Sequence, residues 1–89
     1  MTSKKQRQKL ARHIRKSVKG ALEYPECFSL AKALFNGGGW RIKEWALKRN
    51  FSLTEVIHCS CCGPDHYRVD VRGTILVIVD RHYKVFPLA

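Results

Sequence analysis

The first nineteen residues place cations at a spacing suited to binding phosphate groups. Lys5, Lys9, Arg12, Lys16 and Lys19 follow one another at intervals of four, three, four and three residues. Residues at these intervals lie on one face of an α-helix, and we call these five the basic stripe. Arg15 lies at its border. Because charges of one sign concentrate polyanions, the stripe predicts contact with the phosphate backbone of a nucleic acid.

The net charge of the chain is concentrated in this segment. Eight of the seventeen Lys and Arg residues precede Gly20, and the first acidic residue is Glu23. The segment therefore contributes +8 of the net charge of +10. An acidic surface of a larger protein and an anionic membrane surface are the other partners that such a segment suits.

A second group of residues has the chemistry of a metal site. It consists of His58, Cys59, Cys61, Cys62 and His66. Cys59 and Cys62 have the C-x-x-C spacing of a zinc knuckle, and His66 is near enough in sequence to be a third ligand. A fourth ligand would have to come from another element. We favour reduced cysteines packed beneath a connection and predict no metal and no cofactor, with zinc as the alternative.

A third group could support metal-free cleavage of RNA. It contains His58, His66, Tyr67, Arg68, Arg81, His82, Tyr83 and Lys84, which offer a base, an acid and cations for a phosphate. Within it, the stretch from Arg81 to Phe86 resembles the closing strand of the small bacterial toxin endoribonucleases, a resemblance that implies ribonuclease activity. No paired carboxylates or serine nucleophile accompany it. We predict that the chain is not an enzyme and keep a toxin-like endoribonuclease as a third reading.

The segment from Trp45 to Cys59 resembles the helix-turn-helix motif of DNA-binding proteins. Ala46 matches the small residue of the first helix, Asn50 the left-handed turn residue and Phe51 the apolar turn residue. Val56 and Cys59 match core-facing positions of the second helix. With the following hairpin as a wing, the resemblance implies a winged-helix arrangement; the alternative is an ordinary helical corner. The second helix has no Arg, Lys, Asn or Gln to read base edges.

Hydrophobic periodicity predicts the elements that carry these residues. Helices are expected over 4–19, 25–35, 40–49 and 52–59, the last because Ser52 and Glu55 have capping-box spacing. Gly37, Gly38 and Gly39 end the second helix. Beyond Pro64 the period changes to two, which predicts a three-stranded antiparallel β-meander over 66–72, 74–80 and 82–86. The predicted fold class is therefore α+β.

Two apolar features bear on the surface. The middle strand, Ile75 to Val79, is apolar on both faces, so we expect both to be covered, one by helices and the other by a second subunit or the basic helix. A homodimer is therefore possible. Trp40 and Trp45 are expected in the core, and base stacking is their alternative role.

Length and composition set the class of protein. Eighty-nine residues with 45% hydrophobic side chains predict one folded domain over 1–89. No apolar run approaches the roughly 20 residues of a membrane span, and the basic start lacks the apolar stretch of a secretory signal. We expect a cytoplasmic protein.

The sequence as a whole favours a small basic nucleic-acid-binding protein. We expect the basic stripe and Arg15 to contact phosphates, assisted by Arg41, Lys43, Lys48 and Arg49. Such contacts give affinity with little sequence selection. The rival interpretation is a protein-binding inhibitor or adaptor that docks on a larger nucleic-acid-processing enzyme.

Overall fold

The computed structural model describes residues 3–57, 61 and 63–88. Three helices come first: α1 (Lys4–Val18), α2 (Tyr24–Asn36) and α3 (Gly39–Lys48). Four strands follow: β1 (Ser52–Val56), β2 (His66–Val71), β3 (Thr74–Val79) and β4 (Lys84–Pro87). A short 3₁₀ turn, Asp80–His82, joins the last two strands. The predicted α+β class is confirmed, with one strand more than expected.

Helix α1 is ordered and docked, as the periodicity of its apolar residues predicts. A capping box fixes its start. The Ser3 hydroxyl accepts a hydrogen bond from the backbone N–H of Gln6, and the Gln6 side-chain oxygen accepts one from the backbone N–H of Ser3. Ala11, Ile14 and Val18 are buried along one side. The helix ends because Lys19 and Gly20 both take positive φ, 51° and 89°.

The sheet is a meander in which each strand pairs with its neighbour in sequence, in the order β1-β2-β3-β4. Helix α1 packs on β4 and α3 packs on β1, the two edge strands, while α2 contacts both other helices. The helices therefore lie side by side over one face of the sheet, with α2 in the middle. Their buried side chains form one core with alternate residues of the sheet, among them Val69, Leu76 and Ile78.

The predicted fourth helix over 52–59 is wrong, because Ser52–Val56 is strand β1. Ser52 and Glu55 have capping-box spacing, a local preference of about 1 kcal/mol. Strand pairing outweighs it: β1 forms a ladder with β2, in register from Ser52 opposite Asp70 to Val56 opposite His66. His58 and Cys59, the end of the predicted helix, lie outside the described residues.

The other predicted element boundaries agree with the structure to within one or two residues. The start of the last strand is one that differs. Strand β4 begins at Lys84 rather than at residue 82, because Tyr83 takes a left-handed φ of 52° after the 3₁₀ turn. Strands β2 and β3 are joined by Arg72 and Gly73, both at positive φ, as in a type I′ hairpin.

The outer face of the sheet, away from the helices, is only partly apolar. Register places Arg68, Val77 and Phe86 side by side on it, on β2, β3 and β4. Val77 is buried between its neighbours, whereas Phe86 is 41% exposed. In the part of the chain that the structure describes, no helix covers this face, so the basic helix does not play that role. Its covering by a second subunit stays a prediction.

Candidate nucleic-acid interface

The basic stripe projects from α1 into solvent. All five of its side chains are exposed, and so is Arg15. The buried line of Ala11, Ile14 and Val18 faces the opposite way, so the core fixes the direction of the cations. Among the described residues, no carboxylate lies within ion-pair distance of any stripe residue.

Not every cation of this segment belongs to that surface. Arg7 lies in line with Ala11, Ile14 and Val18 and is half-buried. Its Nε atom is shielded from solvent and has no hydrogen-bond partner in the described part of the chain. Arg7 therefore contributes to the net charge while its side chain packs toward the core.

Arg15 lies close to the thiol of Cys27 on α2. Burial, and to a smaller extent the nearby Glu26 carboxylate, raise the pKa of Cys27 to about 11 against the opposing effect of the Arg15 charge. Cys27 is fully buried, as its place on the apolar side of α2 predicts. It is therefore a protonated core residue at neutral pH.

A second basic surface is a groove of about 540 Å³ between α2 and α3. Four cations line it: Lys32, Arg41, Lys48 and Arg49. Glu44 is the one acidic residue of its lining, so the groove carries a net charge of +3, four positive less one negative. Sequence reasoning missed Lys32, because its position relative to α3 depends on how the two helices pack.

Glu44 is shared between two of these cations. Its carboxylate lies 3.8 Å from Arg41 Nη1 and 3.6 Å from Lys48 Nζ. These pairs are solvent-exposed and within one helix, so each contributes only a few tenths of a kcal/mol. Arg49 is held differently, since its Nη1 donates to the Trp45 carbonyl at 3.1 Å. These contacts position Arg41, Lys48 and Arg49, and the single acidic residue leaves the groove with its net charge of +3.

Lys43 does not join the other three predicted residues of α3. Its ammonium pairs with the Glu55 carboxylate on β1, across the helix–sheet boundary. That hydrogen bond raises the pKa of Lys43 above its usual value. The structure thus brings Arg41, Lys48 and Arg49 together and turns Lys43 toward the sheet edge.

The two tryptophans have opposite environments. Trp45 is buried; its Nε1 donates to the Glu26 carbonyl at 3.2 Å, and its ring packs on Phe51. Trp40 is 58% exposed, with the Arg41 guanidinium 4.1 Å from its ring centre. The expectation of a core position is confirmed for Trp45 and wrong for Trp40. On a helical wheel Trp40 lies nearly opposite Ile42 and Trp45, a signal already present in the sequence.

The comparisons with family models, curated proteins and solved structures found no match. The helix-turn-helix resemblance does not survive in the fold, because β1 occupies the place of the second helix. The winged-helix arrangement built on it is lost for the same reason.

The Cys/His cluster considered as an alternative zinc site lies mostly outside the described residues, which exclude His58, Cys59 and Cys62. His66 is described, and its Nδ1 lies 2.9 Å from a carboxylate oxygen of Asp65. Among the described side chains, no group of three potential ligands is close enough to hold a metal ion. The zinc site therefore stays an untested alternative.

Of the residues considered for RNA cleavage, His58 lies outside the described residues, while His66, His82 and Tyr83 lie at one end of the sheet. His66 begins β2, and β3 ends beside it at Val79, where the turn containing His82 begins. His82 is exposed, and the Tyr83 ring packs 5.0 Å from Phe35. Arg68 lies on the outer face, so these side chains do not all point into one pocket.

Proposed function

We propose that the chain binds nucleic acid through phosphate contacts made by the basic stripe on α1. The observation that carries the proposal is a contrast within one molecule. Lys43 is paired with Glu55, Arg72 with Glu26, and Arg41 and Lys48 share Glu44. The stripe is exposed and has no such partner among the described residues.

The energetics support a partner for the stripe. Like charges three and four residues apart on a helix cost about 0.2–0.5 kcal/mol for each pair, and the stripe contains four successive pairs. A phosphate backbone relieves this repulsion, and release of its condensed counterions adds to the affinity. The proposal is of a binding protein, and it assigns no catalytic residue.

The experiment is the salt dependence of binding to a mixed-sequence DNA duplex. With some six phosphates neutralised, log affinity is expected to fall with log salt at a slope of about −5. Lys9→Gln and Lys16→Gln should each make the slope shallower by about 0.9. Lys43→Gln is the matched control, because it removes the same charge from a lysine already paired with Glu55. A wild-type slope shallower than −2, or an equal effect of the control, contradicts the proposal.

The rival function is a protein-binding module such as an inhibitor or adaptor. One observation favours it: Leu47 on α3 is 76% exposed and Phe86 on the outer sheet face is 41% exposed. Exposed apolar side chains of this kind occur at protein interfaces. Capture of partners from lysate, with and without nuclease, separates the two functions. Partners lost after nuclease treatment support nucleic acid, and a single nuclease-resistant partner supports the rival.

None of the described helices is long and apolar enough to cross a membrane. An anionic membrane surface nevertheless presents negative charge to the basic stripe, as the phosphates of a nucleic acid do. Vesicles containing phosphatidylserine, added as a competitor to the duplex titration, test this partner directly. Efficient competition at equal phosphate concentration would favour a membrane surface over nucleic acid.

A further inference from the structure

We infer that the chain also binds single-stranded nucleic acid, with one base stacked on Trp40 and the adjoining phosphates held in the groove between α2 and α3. This inference rests on the proposed function and specifies a class of nucleic acid for it. The site is separate from the basic stripe, because α1 and α3 lie on either side of α2.

Trp40 has the surroundings of a stacking platform. Its large apolar ring is 58% exposed on a helix whose other tryptophan is buried. The Arg41 guanidinium lies 4.1 Å from the ring centre, a cation–π contact that restrains the ring. More than half of the side chain remains open to solvent, which leaves an aromatic surface for a base.

Arg41 connects this ring to the groove. The residue that covers part of Trp40 also lines the groove, together with Lys32, Lys48 and Arg49. A base on the ring therefore has cationic side chains next to it, where its flanking phosphates run. The net charge of +3 in the groove is complementary to a polyphosphate backbone.

A single strand fits this arrangement better than a duplex. In a duplex the bases are stacked on one another and present only their edges, so a protruding tryptophan ring finds no base face. An unpaired strand offers every base face, and stacking on an aromatic residue is tolerant of sequence. Trp40 thus gives a preference for unpaired strands that phosphate contacts alone do not.

Intrinsic fluorescence and affinity together test the inference. Oligothymidine and a duplex of equal length are titrated into wild-type protein and into Trp40→Ala, Trp40→Phe and Leu47→Ala. We expect oligothymidine to quench the Trp40 emission, leaving buried Trp45 as the internal reference. Trp40→Ala should weaken single-strand binding about tenfold, and Trp40→Phe should restore most of it. Leu47→Ala, an exposed residue of the same helix, should change nothing.

The outcomes separate this inference from the proposed function. Duplex binding with a steep salt slope, together with unchanged single-strand affinity in Trp40→Ala, overturns the inference and leaves the proposed function standing. If Trp40→Ala lowers the affinity for single strand and duplex equally, the inference is also overturned, because loss of base stacking should weaken single-strand binding selectively. Failure of the wild type to bind either oligonucleotide overturns both.

Discussion

The backbone of Gly39 lies directly against the hydroxyl group of Tyr67, which leaves no room for a side chain at the start of α3. A β-carbon built on Gly39 would overlap that oxygen. Tyr67 is a buried residue of β2, 4% exposed, so its ring cannot swing away. This contact sets how closely α3 approaches the sheet.

Gly39→Ala is therefore expected to destabilise the fold by about 1–3 kcal/mol, although alanine is the better helix former. Tyr67→Phe removes the overlapping atom, and the ring carbon Cζ then lies 3.3 Å from the added methyl group. The double variant should recover a large part of the loss. Urea unfolding of all four proteins gives the coupling energy. A coupling near zero would mean that this contact does not limit the approach of α3.

Arg72, in an exposed hairpin turn, contacts three separate parts of the chain: the α1–α2 connection, α2 and the residue before β1. Its guanidinium donates to the Ala21 carbonyl at 3.1 Å and to the Glu26 carboxylate at 2.9 Å, and lies 5.5 Å from the Phe51 ring centre. Asparagine tolerates the left-handed φ of 51° better than arginine does. We nevertheless expect Arg72→Asn to lower stability by about 1 kcal/mol, because the contacts outweigh the turn preference.

Thermal unfolding of Arg72→Asn, Glu26→Gln and the double variant measures this bridge. The double variant should lose less stability than the sum of the two single losses, because both substitutions break the same ion pair. A gain of stability in Arg72→Asn would show that the turn conformation dominates and that the bridge is only a surface contact.

Arg7 and Arg12 are two arginines of one helix with opposite surroundings. Arg7 faces the core line with a shielded Nε that lacks a partner in the described structure, and Arg12 is exposed on the basic stripe. Arg7→Met should raise the free energy of unfolding by about 1 kcal/mol, because it removes an unsatisfied polar group from an apolar site.

Arg12→Met removes the same charge and serves as its control. It should leave stability within about 0.5 kcal/mol of wild type and weaken duplex binding more than Arg7→Met does. Urea unfolding and the duplex titration are measured on both variants. Equal effects of the two substitutions on binding would argue against a contact surface restricted to the stripe.

Alkaline pH should destabilise the fold. Burial raises the pKa of Cys27 to about 11, and burial together with the nearby Asp80 and Glu55 raises that of Tyr67. The hydrogen bond to Glu55 raises the pKa of Lys43. The folded protein therefore keeps protons that the unfolded chain loses, so these contributions are complete below about pH 9 and disappear as pH rises through the folded-state values.

Unfolding in urea between pH 7 and 11 tests this dependence. We expect a plateau to about pH 9 and then a decline of at most about 1.4 kcal/mol per pH unit for each of the two buried groups, Cys27 and Tyr67. Cys27→Ala should flatten the first part of the decline, because the thiol titrates first in the unfolded chain. Stability that is constant to pH 11 would contradict the environments described for these groups.

The sequence predicts an element of this fold when residues within that element determine its structure, and fails when a distant segment determines it. Helix α1 was predictable because burial of Ala11, Ile14 and Val18 repeats at the helical period within one segment. Strand β1 was not, because Ser52 and Glu55 suit a helix start equally well and its pairing partner β2 begins ten residues beyond its end. Local sequence preferences do not include the stabilisation that a strand gains by pairing with a distant segment.

The features of the candidate site fall into the same two groups, those that local sequence predicts and those that depend on packing between elements. Exposure of the basic stripe follows from the helical wheel, and so does that of Trp40, once Ile42 and Trp45 define the buried side. The groove does not follow, because Lys32 comes beside Arg41 only when α2 packs on α3. The pairing of Lys43 with Glu55 could not be predicted for a related reason, because Glu55 was expected on a helix rather than on β1.

The packing of α1 on β4 joins the first helix to the last strand of the described fold. More than sixty residues separate the two segments, so their contact closes the largest loop in the molecule. Closing a loop costs entropy that grows with its length, and long-range contacts of this kind slow folding. The helix that contributes most of the net positive charge is thus held in place by a strand distant in sequence. Fraying of β4 would loosen the support of the basic stripe, although β4 contributes none of the five stripe residues.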